Sequence, residues 1–229
     1  MHGTEFEFRN RFWLISSVFW AGYACYFLDH RNGAVAVASA LAGENRVAVQ
    51  LVLGAGALLI FVGAALRTWA SAYLRSKIVK DAALHTDLLV ADGPYRYVRH
   101  PLYLGTFLLA VGLAPTASQL GSIVMVLGMM ILLVRLIGRE EAALALAQGA
   151  RYDAYRAAVP SLWPALWPQV AAGDARPQWR QAVVGELMMW AFALGAGLFA
   201  ATFDLRIFLG FVVLGLIGYM PGVWARARR

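Results

Sequence analysis

Six apolar runs, at 12–28, 47–69, 101–114, 120–137, 183–202 and 205–223, take up about half of this chain and constrain it more than any other feature. A helix that crosses about 30 Å of hydrocarbon takes roughly 20 mostly apolar residues. Runs of this length need lipid or one another as surroundings. The sequence therefore predicts an all-α fold, a polytopic integral membrane protein with about six transmembrane helices. The third run is the shortest, so a tilted or extended helix is expected there. Pro115 and Gln119 bracket the next connection, which is short enough to make the third and fourth helices an antiparallel hairpin. The stretch 33–42 is apolar but too short to span and is expected to be a loop or a shallow helix.

Charge orients this set. The chain is 61% hydrophobic and 14% charged, with a formal net charge of +7. The basic residues lie between the apolar runs rather than on a soluble patch, which points away from nucleic acid. Arg9 and Arg11, then Arg75, Lys77, Lys80, Arg96 and Arg99, then the stretch 135–180, and finally Arg226, Arg228 and Arg229 fall on alternate sides of successive runs. Positive charge accumulates on the cytoplasmic side, so both termini are expected there. The first run, followed by Ala38-Ser39-Ala40, has some look of a signal peptide. Polar Asp29-His30-Arg31-Asn32 separates the two, however, and a retained helix is expected. Lone Cys25 excludes an internal disulfide, and four scattered histidines suggest no metal.

Two segments on the cytoplasmic side, 70–100 and 138–180, are too long to be mere connectors. Trp163, Trp167 and Trp179 among Pro160, Pro164, Pro168 and Pro177 suggest a chain skimming the headgroups in an aromatic belt. In Gly93-Pro94-Tyr95-Arg96-Tyr97-Val98-Arg99-His100-Pro101, the Gly-Pro marks a turn. Pro101 drives His100 out of helical geometry while itself fitting a first helical turn. His100 thus stands at a helix N-terminus, where free N–H groups and the helix dipole suit an anionic group. In the second segment Glu141, Leu144, Gln148, Tyr152, Tyr155 and Val159 share a face, with Glu140 beside its start. A carboxylate so near the bilayer needs a partner, which can be an arginine such as Arg135 or Arg139, or a cationic ligand. The hairpin brings the helix that His100 opens and the helix that the glutamates close to one membrane face. A helix N-terminus for a carboxylate and a glutamate for an ammonium or ribose hydroxyls are together what S-adenosylmethionine requires.

Here the chain resembles the isoprenylcysteine carboxyl methyltransferase family and its phospholipid methyltransferase relatives. Arg99-His100-Pro101-x-Tyr103-x-Gly105, Glu140-Glu141-x-x-Leu144 and Tyr152-x-x-Tyr155-x-x-x-Val159-Pro160 occur in the family's order. The resemblance implies a three-part chain: N-terminal helices and a connector at 1–82, a methyltransferase-like core at 83–168, and a C-terminal hairpin at 169–229. It implies S-adenosylmethionine as methyl donor, in contact with Tyr95, His100, Pro101, Leu102, Tyr103 and Glu140. An upstream stretch adds His85, Thr86, Leu89 and Val90, with Asp87-Leu88 interrupting the family pattern there. It further implies a lipidic or prenylated acceptor that reaches a cytoplasm-facing site from the membrane lipids, and links an arginine ahead of the glutamates to that acceptor. Arg135 and Arg139 are the candidates.

A carboxylate acceptor needs no general base, whereas an amine headgroup must lose a proton to Glu141, Tyr152 or Tyr155. A sterol-type NADPH reductase is disfavoured by Pro101 and by Glu140-Glu141, because that family carries Asn and Asp-Glu there. A transporter would place ionisable groups near the midplane, where the last two runs have none; Glu186 stands near one end. Gly195, Gly197, Gly210, Gly215 and Gly218 in those runs are compatible with a homodimer.

Overall fold

The computed structural model describes residues 3–74 and 90–227, with side chains through residue 218. Among the described residues it is helical, without strands beyond an isolated bridge between Asn32 and Ser118.

Local chemistry sets the helix ends. Helix α1 (Glu5–Arg9) starts in a capping box between Thr4 and Glu7, and Asn10 passes the chain directly into α2 (Arg11–Ala24). Helix α3 (Gly33–Ala42) resolves the ambiguity at 33–42. The Asn32 side chain accepts from the Ala34 and Val35 amides, and Gly43, at φ 85°, ends the helix. Helix α4 (Arg46–Tyr73) is capped by Asn45. Helix α5 (Pro101–Leu113) follows a 3₁₀ turn at Gly93–Arg96. Helix α6 (Gln119–Gln148) is capped by Ser118 and stops at Gly149, whose φ of 51° suits glycine, and α7 (Ala150–Ala158) follows at once. The chain ends in α8 (Trp179–Gly185), α9 (Leu187–Thr202) and α10 (Leu205–Ala227).

By length and apolarity, α4 and α6 can each cross a membrane, and α8 with α9, bent by 61°, makes a third span if the pair is counted as one. At 13 residues, α5 reaches only about 20 Å, as its short run suggested. The run at 120–137 is the apolar part of a much longer helix that carries the glutamates beyond it. The run at 183–202 is not one straight helix, because it breaks at Glu186.

Small residues let backbones approach where lipid gives little hydrophobic drive. A Cβ added to Gly63 would stand 2.8 Å from the Gly105 carbonyl oxygen, and one added to Gly56 would stand 2.5 Å from that of Gly112, so α4 and α5 cross nearly backbone to backbone. Ile60, Leu109, Leu113, Met125, Met129, Leu133 and Leu136 fill the core around that crossing. At the end remote from His100, the loops before α3 and α6 are stitched together. The Gly33 amide donates to the Ala117 carbonyl, the Gln119 amide to the Arg31 carbonyl and the Leu120 amide to the Asp29 carboxylate, each at 2.8 Å. With that end tied, both helices that bear the motifs return to the opposite end in fixed register.

Candidate active site

His100 is the N-cap of α5 and is only 5% exposed. Its position is set from outside the helix. Residues 160–173 run as a strap along 92–100: the Arg99 amide donates to the Pro160 carbonyl (2.8 Å), His100 to Ser161 (3.2 Å), Ala165 to Tyr97 (2.9 Å) and Gln169 to Arg96 (2.8 Å). The Arg96 guanidinium closes the far end on the Val170 carbonyl at 2.9 Å.

One carboxylate organises the centre. Glu141 Oε1 accepts from Arg99 Nη2 at 2.7 Å and Nε at 3.0 Å, and His100 Nε2 lies 3.0 Å from the same oxygen. Arg156 Nε approaches the other oxygen at 3.6 Å. Arg99 also donates through Nη1 to the carbonyls of Arg156 and Val159, so a single guanidinium joins α6, the end of α7 and the start of α5. This is the convergence expected from the short hairpin. The sequence had offered Arg135 or Arg139 as arginine partners for the glutamates, and here the structure differs. Arg135 instead holds Glu7 of α1 at 2.8 and 3.0 Å, and Arg139 lies 3.8 Å from Glu5. Residue 135 is six positions from 141, more than a full turn, which places its side chain well away from the Glu141 face. Its bond to Arg135 holds the Glu7 carboxyl down at about 2.

The remaining expected site residues divide by face. The Tyr103 ring lies 5.9 Å from that of His100, and Glu140 is within hydrogen-bonding and electrostatic reach of Tyr103 and within electrostatic reach of buried Tyr95. Pro101 is fully buried, while Leu102, Tyr103 and Val90 are partly buried. His85, Thr86 and Leu89 lie outside the described residues. Tyr155 is buried, and its hydroxyl donates to the Tyr95 carbonyl at 2.8 Å. Burial raises its pKa, which together with that bond makes it a poor proton acceptor. Tyr152, beside it, is 1% exposed and its hydroxyl has no hydrogen-bond partner among the described residues; burial, then the Glu141 charge, pushes that hydroxyl up to about 12. The sequence placed Tyr152 on a face shared with Glu141, a face that the break at Gly149 divides between α6 and α7, and carried no signal for the state of its hydroxyl. Among the described residues no group of three His, Cys, Asp or Glu side chains could hold a metal ion.

The site therefore offers fixed cations around a carboxylate, a helix N-terminus and a buried free hydroxyl, at the edge of an apolar bundle. Comparison with known proteins agrees with the motif reading. A 95-residue stretch is 39% identical to "Protein-S-isoprenylcysteine O-methyltransferase" of Schizosaccharomyces pombe, covering 40% of this chain and 39% of that protein. The match thus spans about two fifths of the curated relative's length. No solved structure matches. Residues 55–146 match the isoprenylcysteine carboxyl methyltransferase (ICMT) family, so the part of this membrane protein that contributes Arg99, His100, Glu140 and Glu141 is similar to that family.

Proposed function

We propose that the protein transfers the methyl group of S-adenosylmethionine to the carboxylate of a lipid-borne isoprenylcysteine. The observation that carries this reading is the 3.0 Å approach of His100 to Glu141, with Arg99 donating to the same carboxylate oxygen, within the stretch that resembles the family. The residues fit the donor. Among the described residues the buried Tyr152 hydroxyl has a hydrogen bond to give and no side chain caps the first turn of α5, whose amides suit a carboxylate. His100, Pro101, Leu102, Tyr103, Tyr95 and Glu140 would hold it, with His85, Thr86, Leu89 and Val90 contributing from upstream. When bound, the donor supplies a methyl group on a sulfonium.

The chain's own part is to bind, orient and keep water out. Glu141 is held by Arg99, Arg156 and His100, Tyr155 has committed its proton and burial keeps the Tyr152 hydroxyl protonated, so none of the three is placed to strip a proton from an amine. This favours an anionic oxygen acceptor, which reacts without a base, over a phosphatidylethanolamine-type amine. Arg156, half exposed beside Glu141, is suited to steer such an anion. Arg135 and Arg139 remain proposals for acceptor recognition only where Glu7 and Glu5 give way. Six spans with cytoplasmic termini, the division at 82 and 168, and a site at the inner leaflet complete the proposal. They are supported by the alternation of basic segments and by the placing of the site at one end of α5 and α6. Gly197, Gly210 and Gly218 face open space, which leaves room for a homodimer.

Calorimetric titration of the detergent-purified chain with S-adenosylmethionine, S-adenosylhomocysteine and NADPH tests the donor. Binding of the first two is expected; a response to NADPH alone would refute the proposal and favour a reductase. Methyl transfer into a prenylcysteine analogue but not into phosphatidylethanolamine is expected next, and the reverse would move the acceptor to an amine.

A further inference from the structure

We infer that Arg67 and Glu186 are positioning residues for the same site, coupling the bend between α8 and α9 to the first turn of α5; this rests on the function proposed above. Glu186 is 3% exposed and stands at the break itself, between two helices at 61°. Its carboxylate accepts from Arg67 Nε at 2.7 Å, from Arg67 Nη2 at 3.2 Å and from the Ser71 hydroxyl at 2.8 Å. The free end of that guanidinium turns away from Glu186. Arg67 Nη1 donates to the Leu102 carbonyl at 3.1 Å and to Thr106 Oγ1 at 2.8 Å, and Thr106 Oγ1 donates in turn to the same carbonyl at 3.0 Å. Gly105 makes this possible, because a Cβ there would lie 2.4 Å from Arg67 Cγ.

Charge explains why two residues are needed. A guanidinium beside the first turn of a helix opposes the positive end of its dipole and is costly to bury alone. The Glu186 carboxylate compensates both costs, so Arg67 stays on Leu102 only while the bend presents Glu186. The start of α5 is then held at two points, at His100 by Glu141 and at Leu102 by Arg67, which leaves the turn carrying Pro101, Leu102 and Tyr103 little freedom. A buried ion pair is weak evidence for stability, since apolar replacement of both partners is often neutral or better. A link from such a pair to the turn that forms the site is what a positioning role requires.

That property supplies the test. Arg67→Met/Glu186→Met removes both charges together, and is compared with Glu186→Gln and wild type by melting temperature, hydrogen exchange of the 101–106 amides, and S-adenosylmethionine affinity. Glu186→Gln should melt well below wild type. The double variant should melt within about 3 °C of wild type, yet exchange those amides about tenfold faster and bind the donor at least about tenfold more weakly. Recovery of exchange protection and donor affinity along with melting temperature would overturn the inference. Glu186→Asp, which keeps the charge with a shorter reach, decides the matter if the double variant does not fold: weakened donor binding is expected, and undiminished binding would overturn it. If wild type itself binds no donor, the proposed function fails, while the exchange comparison still decides whether the pair positions this turn.

Discussion

Two buried carboxylates flank the start of α5, and their surroundings differ in a way that separates their roles. Glu141 meets the guanidiniums of Arg99 and Arg156 and the His100 imidazole, with a second carboxylate, Glu140, close by, whereas Glu186 meets Arg67 and a hydroxyl and forms a neutral pair. A half-exposed, loosely held guanidinium such as that of Arg156, beside a helix N-terminus, can take an anionic ligand; a single closed pair holds structure in place. The same residue type thus serves a binding site on one side of a helix and a brace on the other.

The most severe way to break this comparison is Glu141→Gln. It leaves Arg99 without its charge partner in a partly buried setting, so we expect a loss of about 3–5 kcal/mol in denaturant unfolding, together with at least about a hundredfold loss of transfer rate. A loss no greater than that of a surface substitution would show that the cluster is solvated and the contrast with Glu186 mistaken.

Tyr152→Phe is smaller and tests the site through its sign. Removing a buried hydroxyl that has no partner among the described residues should stabilise the free protein by about 1 kcal/mol while weakening donor binding about tenfold. Stabilisation without weakened binding would remove Tyr152 from the proposed donor site.

The smallest effect lies at α1. Arg135 depresses the Glu7 carboxyl from 4.5 to about 2, so this group contributes stability that is fully present above pH 4.5 and is lost as pH falls towards 2. Melting curves of wild type and Glu7→Gln should therefore differ slightly at pH 6 and converge as pH drops through this window. A constant difference would mean that the bond to Arg135 does not depend on charge.

What the sequence revealed follows from the distance over which each signal acts. The apolar runs marked α4 and α6, and Pro101 marked the start of α5, because length and backbone sterics are local. The short turn after α5 made the meeting of His100 with the glutamates a geometric necessity. The partners of Glu141 were less legible. Arg139 lies next to the Glu-Glu pair in sequence, but helical periodicity and the capping box of α1 direct it and Arg135 elsewhere, while Arg99 arrives from 42 positions away. Arg67 and Glu186 are 119 positions apart, each near the end of an apolar run. Nothing local in the sequence signals that these two charges pair. The 61° bend was hidden for the same reason, since hydropathy runs through Glu186 almost without interruption.

The central question for this protein is whether the cluster around Glu141 is where a methyl group moves. Its most direct measurement is transfer of radiolabelled methyl from S-adenosylmethionine to a prenylcysteine analogue by purified wild type and Glu141→Gln in the same detergent. Transfer by wild type and its near abolition in the variant is the predicted result; equal transfer by both would contradict the assignment of this site.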